Sequence, residues 1–558
     1  MRVNNRGRKF LLHWMLDAPA QAAAANNEPR TVEDAGNGLF FRLGYTMLWS
    51  GWDPDVPKAN GGIAMKVPVA TRNGAPIVRV IRDEMVSGTR GPAAPAFKLS
   101  YPAATLDQTQ ARLSVRRAEA DAESVIPADR WAYVDARTIK LLPEGTTFEP
   151  GSLYVLRYPA KDPKVLGIGF AATRDIVSFL RHDAKNSNGA ETLVGPEINK
   201  VLAVGISQSG RYLRDHIAQG FNQDEYQRRV FDGVLAHISG AGKVFLNEEF
   251  GQPQRTNTQH EDHYYPENAF PFSSATLEDP LTGTNGALLR GNEFDPLLIE
   301  VNTSTEYWQK GASLLHTDPL GKRDITLPLT ARVYLIAGTQ HAGQVGLQPD
   351  TGPCANPRNP HNPAPALRAL LVALDQWVSG GREAPPSRVP SIAGDTLIPA
   401  DKLQFPAVPA MQVARAGNKM MLYGDWIEPK PDRTKAYQTL VPKVDADGNE
   451  LGGIRLPDIA VPLGTYTGWN LYKKPFPEGE LCDRDGSYAA FARTSAEREK
   501  TADPRRSIKE RYPSKDDYVT QVKAVSAGLV GARLLLPEDA ERYVEAAMHV
   551  DENLFSGR

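Results

Sequence analysis

Cysteine is nearly absent from this chain. Two residues, Cys354 and Cys482, among 558 cannot build a disulfide-rich scaffold or a multi-cysteine zinc site. A single bridge between them suits an exported protein and two free thiols suit a cytosolic one, so both readings stay open. Charge of one sign is missing too. There are 64 basic and 66 acidic residues, a formal net charge of −2, and no strong field draws the chain to DNA, RNA or an anionic membrane. No apolar run approaches the roughly 20 residues of a membrane span. At the start, in MRVNNRGRKFLLHWMLDAP, basic residues precede only a short apolar stretch that Asp17 cuts off. That is a poor export signal, and FLLHWML reads as a strand. The chain as it stands reads as soluble and cytoplasmic, or as periplasmic or secreted if a leader precedes it. Internal repeats and low-complexity tracts are also lacking, which excludes solenoids and propellers.

What is present is an ordinary globular composition, 41% hydrophobic and 23% charged, in a chain long enough for one large domain with attachments. The run LFFRLGYTMLWSGW reads as an apolar strand ending in a turn at Ser50-Gly51. Residues 60–150 are strand-like and broken by turns such as Asn73-Gly74, a β-rich insertion. From 151 to 380, strands alternate with helices: LYVLRYPA, FAATRDIVSFLRH, VLAVGI with the helix after it, FDGVLAHIS, PLLIEVNTS, ARVYLIAG and PALRALLVALDQWV. This alternation predicts an α/β fold, a mostly parallel sheet with helices on both faces. Residues 1–59 then supply its first strands. Residues 241–290, polar and aromatic, form a cap insertion in which Tyr264, Tyr265, Phe270 and Phe272 suggest an aromatic entrance or simply loop packing. Residues 381–558 hold a proline-rich connector, short strands and two helices, one capped by Ser514 and one opening at Pro537. They are expected to pack on the main domain as an accessory region.

In a doubly wound sheet, functional groups collect at the carboxyl ends of the strands. Three such ends carry a serine, a glutamate and a histidine. A nucleophile elbow needs small residues two positions either side of the nucleophile, because the strained turn leaves no room for side chains there. Gly205-Ile206-Ser207-Gln208-Ser209 meets that need with Ser207 in the centre, whereas centring on Ser209 places Arg211 at a small position. Ser209 is then expected to be there because it is small. A serine hydroxyl requires a base, and His341, after the strand VYLIAG, is best placed. His237 and His316 fall within a strand and a helical run, where a core histidine is the plainer reading. His260 and His263 form HEDH, which does not match the HExxH zinc pattern. The imidazole requires a carboxylate partner. Glu306 follows PLLIEVNTS; Asp318 is the alternative, and Glu300 points from mid-strand. The oxyanion donors expected are the amide of Gln208 and one from Gly51 or Trp52.

The order Ser, Glu, His and the elbow resemble the α/β-hydrolase superfamily. More narrowly, DAGNGLFFRLGYTMLWSGWD, GISQSGRYLRD, NTSTEYWQKGASLLHTD, AGTQHAG, LCDRDGSY and LLLPEDAERYV are similar to a family of large bacterial α/β-hydrolase domain-containing proteins. The resemblance implies an α/β-hydrolase fold and a serine hydrolase acting on small-molecule esters, with Ser207 and His341 carried over by its pattern and Glu306 beside them. Members often have more sequence at the N-terminus, including export signals. No metal or organic cofactor is called for. An amidase or peptidase using the same triad, or a non-catalytic binding protein on the same scaffold, are the competing readings, and the oligomeric state stays open.

Overall fold

The computed structural model describes residues 2–3, 38–56, 64–87, 93–117, 121–183, 185, 188–189, 198–253, 269–341, 351–424, 427 and 430–556. The strand expected at FLLHWML, Tyr264, Tyr265 and the HEDH pair lie outside these residues. Six strands build the central sheet: β1 (Arg2–Val3), β2 (Trp49–Ser50), β3 (Leu202–Ile206), β4 (Gly233–His237), β5 (Leu297–Thr303) and β6 (Ala331–Ile336), in the spatial order β6-β5-β4-β3-β1-β2. Every described pairing in it is parallel. All strands therefore end on one side, and the segments after β3, β4, β5 and β6 meet there.

Alternation along the buried strands decides what covers each face. Leu202, Val204, Ile206, Leu235, Val301 and Tyr334 pack on Leu367, Leu370 and Leu374 of a helix over Ala364–Val378. Ala203, Val234 and Leu298 face the other way, onto Phe170 and Val177 of the helix Ile168–His182 and onto Tyr212, Leu213 and Ile217 of Gln208–Ala218. We label the helices α1 (Ile168–His182), α2 (Gln208–Ala218), α3 (Ser304–Gln309), α4 (Ala364–Val378), α5 (Lys515–Gly531) and α6 (Pro537–Met548). Helices on both faces of a parallel sheet are what the alternating pattern predicts. Among the described residues no helix is long and apolar enough to cross a membrane.

Two expectations need correction. The apolar run after Gly38 is not one strand: Leu39–Arg42 forms a single helical turn and only Trp49–Ser50 joins the sheet. A short apolar run suits a buried helix or a strand equally well. Here Gly44, at φ 78°, turns the chain away after one helical turn. The boundary drawn at residue 150 also cuts through a sheet. Leu153–Lys161 pairs antiparallel with Val78–Val86 on one side and with Arg112–Arg116 on the other. It belongs to the β-rich region, whose separate core includes Ile81, Leu113, Leu156 and Tyr158. A strand's hydrophobic pattern does not say which sheet receives it.

The C-terminal region packs on the main sheet. Arg388 pairs beside Tyr334, and Ile454 beside Ile336, so two short segments cover the outer edge of β6. Covering an edge removes a row of unpaired backbone groups. Ser514 caps α5, its hydroxyl accepting from the Asp517 amide at 3.1 Å, and Leu529 of α5 joins the core face of α4. Cys354 and Cys482 are disulfide-bonded with Cα atoms 5.6 Å apart, closing a separation of 128 residues. Arg368 of α4 grips Asp539 of α6 through bonds of 2.9 and 2.6 Å, each side chain only 1% exposed.

That ion pair gives a stability prediction. Asp539→Asn takes the counter-charge from a buried guanidinium, and breaking one partner of a buried pair costs about 3–5 kcal/mol. Urea unfolding should register the loss as a lower midpoint. An unchanged midpoint would mean that α6 does not dock on α4.

Candidate active site

Ser207 joins β3 to α2 with φ 56° and ψ −118°, a conformation outside the regions an L-residue prefers. Its amide donates to the His237 carbonyl of the neighbouring strand at 2.8 Å, and its own carbonyl accepts from the Arg211 amide at 3.0 Å. Strand ladder and helix thus hold the turn from both ends. A side chain at position 205 would have its Cβ 2.3 Å from the Ser209 carbonyl oxygen, and one at 210 would come 2.9 Å from the His237 carbonyl oxygen. Only glycine fits at either point.

The turn aims Ser207 Oγ at the loop after β6. The Ser207 hydroxyl donates to His341 Nε2 at 2.9 Å, and His341 Nδ1–H donates to Glu306 Oε1 at 2.5 Å. Serine, histidine and glutamate therefore form one chain of hydrogen bonds across the ends of β3, β6 and β5. Glu306 is fully buried at the third position of α3. Its second oxygen accepts the Thr303 amide at 3.0 Å, one half of the capping box between these residues, and also the Thr303 hydroxyl. Both oxygens being committed, the carboxylate is fixed in rotation. Thr305 secures the histidine from the same helix: its Oγ1 accepts the His341 amide at 3.0 Å while donating to the Gly468 carbonyl at 2.6 Å.

Electrostatics set the resting protonation. Burial pushes the His341 imidazole below its ordinary value; the Glu306 charge and hydrogen bond oppose this, while Arg484 and Lys310 push the same way as burial. Burial alone would raise Glu306, but the charge and hydrogen bond of His341 and the two bonds from Thr303 outweigh it and hold the carboxyl below its usual range. A neutral imidazole between a hydroxyl and a carboxylate can accept a proton at Nε2 and be steadied at Nδ1.

The other sequence candidates fall into distinct places. Gln208 is the first residue of α2, so its amide lies at the amino end of that helix, directly after Ser207. Trp52 is buried beside that helix, its ring stacked on Tyr212 at 4.8 Å and its indole donating to Ser209 Oγ at 3.4 Å. Ser209 is thus more than a small residue, since it also accepts a buried indole N–H. Gly51 precedes Trp52 in the same segment. Asp318 is occupied elsewhere: its carboxylate caps a turn, accepting the amides of Lys322 and Arg323 at 2.7 Å. Glu300 pairs with Arg214 of α2, both completely buried. His237 and His316 are core residues, bonded to the Val301 carbonyl and the Tyr307 hydroxyl, each at 2.9 Å. Burial pushes both down to about 4. Phe272 packs against Tyr437, Leu314 and Leu315, the loop-packing alternative for that residue. No group of three or more potential metal ligands occurs among the described residues.

Thr303, Thr305 and Glu450, described below, were not singled out from the sequence. The first had a readable signal, since Thr303-Ser304-Thr305-Glu306 is a T-x-x-E capping box that places Glu306 at the third helical position.

A family model described as an alpha/beta hydrolase domain matches residues 90–545. No curated protein and no solved structure matches the chain. The matched span begins after β1 and β2, within the β-rich region, and runs through the serine turn and the glutamate and histidine loops on to α6, covering well over half of the chain. On that extent of agreement, the chain belongs to the alpha/beta hydrolase domain family.

Proposed function

We propose that this hydrolase cleaves carboxylic esters of small molecules through a serine acyl-enzyme. The observation that carries the proposal is the unbroken relay from Ser207 Oγ to His341 at 2.9 Å and from His341 to Glu306 at 2.5 Å. Ser207 Oγ attacks the ester carbonyl as His341 Nε2 takes its proton, and Glu306 stabilises the imidazolium so formed. The negative charge developing on the carbonyl oxygen is met by the Gln208 amide, with Gly51 or Trp52 as the second donor. The imidazolium then protonates the departing alcohol oxygen. Water, deprotonated by His341, attacks the acyl group and releases the acid and Ser207. The segment after β4, described over 241–253 and 269–290, is assigned to shaping the pocket in this reading, as a cap insertion following a core strand would. Arg214 of α2 braces its described parts, donating to the Gly242 carbonyl at 3.1 Å and the Phe272 carbonyl at 2.6 Å. The β-rich region has no repeat of the kind that screens peptides by size, which favours esters over peptides. A fluorophosphonate probe separates catalysis from mere binding: the intact protein should be labelled on Ser207, and failure to label would leave the binding-protein reading in place.

Ser207→Ala should abolish ester turnover, a loss on the order of 10⁶ in kcat by the measure of other serine triads. Ser209→Ala should retain turnover while melting earlier, because a buried indole N–H left without an acceptor costs about 1–3 kcal/mol. Dead Ser209→Ala beside active Ser207→Ala would overturn the choice of nucleophile.

Glu306→Gln should fold yet lose about 10⁴ in kcat, the imidazole being deprived of its tautomer lock and partner charge. Asp318→Asn, which alters a turn capped by that side chain, should turn over ester almost as the wild type does. The opposite pattern would displace Glu306 as the acid.

The pH profile tests the base. Sequence reasoning alone expects the Glu306 charge to raise His341 and set the midpoint between roughly 6 and 7.5. In the structure burial wins and the imidazole is lowered. The base is competent when neutral, so protonation of His341 should remove kcat/KM for a neutral ester with a midpoint below the ordinary histidine value of about 6.5. A midpoint for this group well above 7 would contradict it.

A further inference from the structure

Glu450 comes from the accessory region yet lies at the centre of the candidate site's support. Ile454, four residues on, is bonded into the edge of β6: its amide donates to the Leu335 carbonyl at 2.7 Å and its carbonyl accepts the Ala337 amide at 3.0 Å. That pairing carries the preceding turn onto the strand ends. There one oxygen of Glu450, Oε2, accepts the Ser304 hydroxyl at 2.6 Å and the Gly338 amide at 2.8 Å. Ser304 lies two residues before Glu306, and Gly338 lies three before His341. Gly338 itself has φ 64°, and a Cβ there would fall 2.3 Å from Ile459 Cδ1, so the loop has little freedom to find another anchor. Glu450 as a whole is only 4% exposed. Burying a charge in this way is costly without a close counter-ion. Arg455 is the cation that acts on it, and Arg455 is itself engaged with Asp445 at 3.3 Å. Among the described residues, the remaining groups that bond to or act on Glu450 are neutral: Ser304 and Tyr307 from α3 and the Gly338 amide from the loop. Packing alone does not call for an anion at this point.

We infer that Glu450 is a positioning residue for hydrolysis, a single carboxylate oxygen that fixes the segment bearing Glu306 against the loop bearing His341. The inference rests on the serine-hydrolase reading given above. Its effect passes through the 2.5 Å bond between His341 and Glu306, because displacement of a reacting group by about 1 Å can cost 10²-fold in rate. The strut also responds to acid. Burial raises the Glu450 carboxyl to about 7, despite the bonds from Ser304 and Gly338 and the charge of Arg455. The ionised form, the stronger acceptor of both bonds, therefore prevails above that pH and is lost below it.

Intact wild type, Glu450→Gln and Glu450→Ala should be compared by ester kinetics across pH and by NMR of the His341 Nδ1 proton in ¹⁵N-histidine-labelled protein. Wild type should show an activity step near about 7 above the separate His341 limb. Glu450→Gln, which keeps an acceptor but cannot titrate, should lose that step and retain more activity than Glu450→Ala. Glu450→Ala should lower kcat on the order of 10²-fold with KM within about twofold. Its Nδ1 proton signal should move or broaden, and the wild-type signal should do so as pH falls through the upper step. Variants that merely melt earlier, with kcat, pH profile and Nδ1 signal unchanged, would overturn the inference. If wild type cleaves no ester while the Nδ1 signal still depends on Glu450, the ester reading fails and the positioning contact stands.

Discussion

The strained backbone at Ser207 is the constraint on which the site depends. A non-glycine residue at φ 56° and ψ −118° costs on the order of 1–3 kcal/mol, and the turn persists because its surroundings leave no alternative. The amide is tied into the β4 ladder, the carbonyl starts the helix, and two glycines allow backbone to pass within contact distance on either side. The outcome is a hydroxyl raised above the sheet, where the loop from β6 can meet it. Because the paired strands of the sheet all run the same way, the ends of β5 and β6, beyond β4, deliver the other two groups on the same side of the sheet.

Holding those groups in register is a matter of using up their hydrogen-bonding capacity. Glu306 has both oxygens engaged, one by His341 and one by Thr303. His341 is fixed through its amide by Thr305, which in turn is bonded to Gly468. The loop before it is held by Asn359, whose amide donates to the Gly338 carbonyl at 2.7 Å and to the Thr467 carbonyl at 2.8 Å. Gln340 accepts the Gly486 amide at 2.8 Å. Most of these outer anchors come from beyond residue 380, which agrees with a family match that does not stop at the last core helix but continues to residue 545. The region that looks accessory in the sequence is joined to the working end of the sheet.

Local signals made the inner part of this arrangement legible. Buried strands, the small-residue spacing around Ser207 and the polar ends of β5 and β6 are short-range patterns, and the serine, histidine and glutamate they indicate do meet. Long-range pairing was not legible. Nothing in LYVLRYPA says that its partner is Val78–Val86 instead of the central sheet, and nothing in DADGNELGG marks Glu450 as a bridge between two distant loops. The apolar run at Leu39 was ambiguous for a related reason, since its hydrophobicity reports burial but not conformation. Even the electrostatic direction at His341 turned on a tertiary quantity. The neighbouring carboxylate was foreseeable, while the extent of burial that outweighs it was not.

The chain order of these anchors has a consequence for biosynthesis. Ser207, Glu306 and His341 all emerge from the ribosome before Glu450, Thr467, Gly468 and Gly486 exist. Domains fold as units during synthesis at roughly 5–20 residues per second, so the histidine loop waits on the order of ten seconds for the residues that hold it. Over that interval the serine turn can form, because its partners in β3, β4 and α2 are all in place, but the histidine loop has only its earlier anchors, Thr305, Glu306 and Asn359, and lacks the later ones. The serine of the proposed relay is thus built early and the histidine is seated late, an order that delays assembly of the relay until the segment from Glu450 to Gly486 has been made.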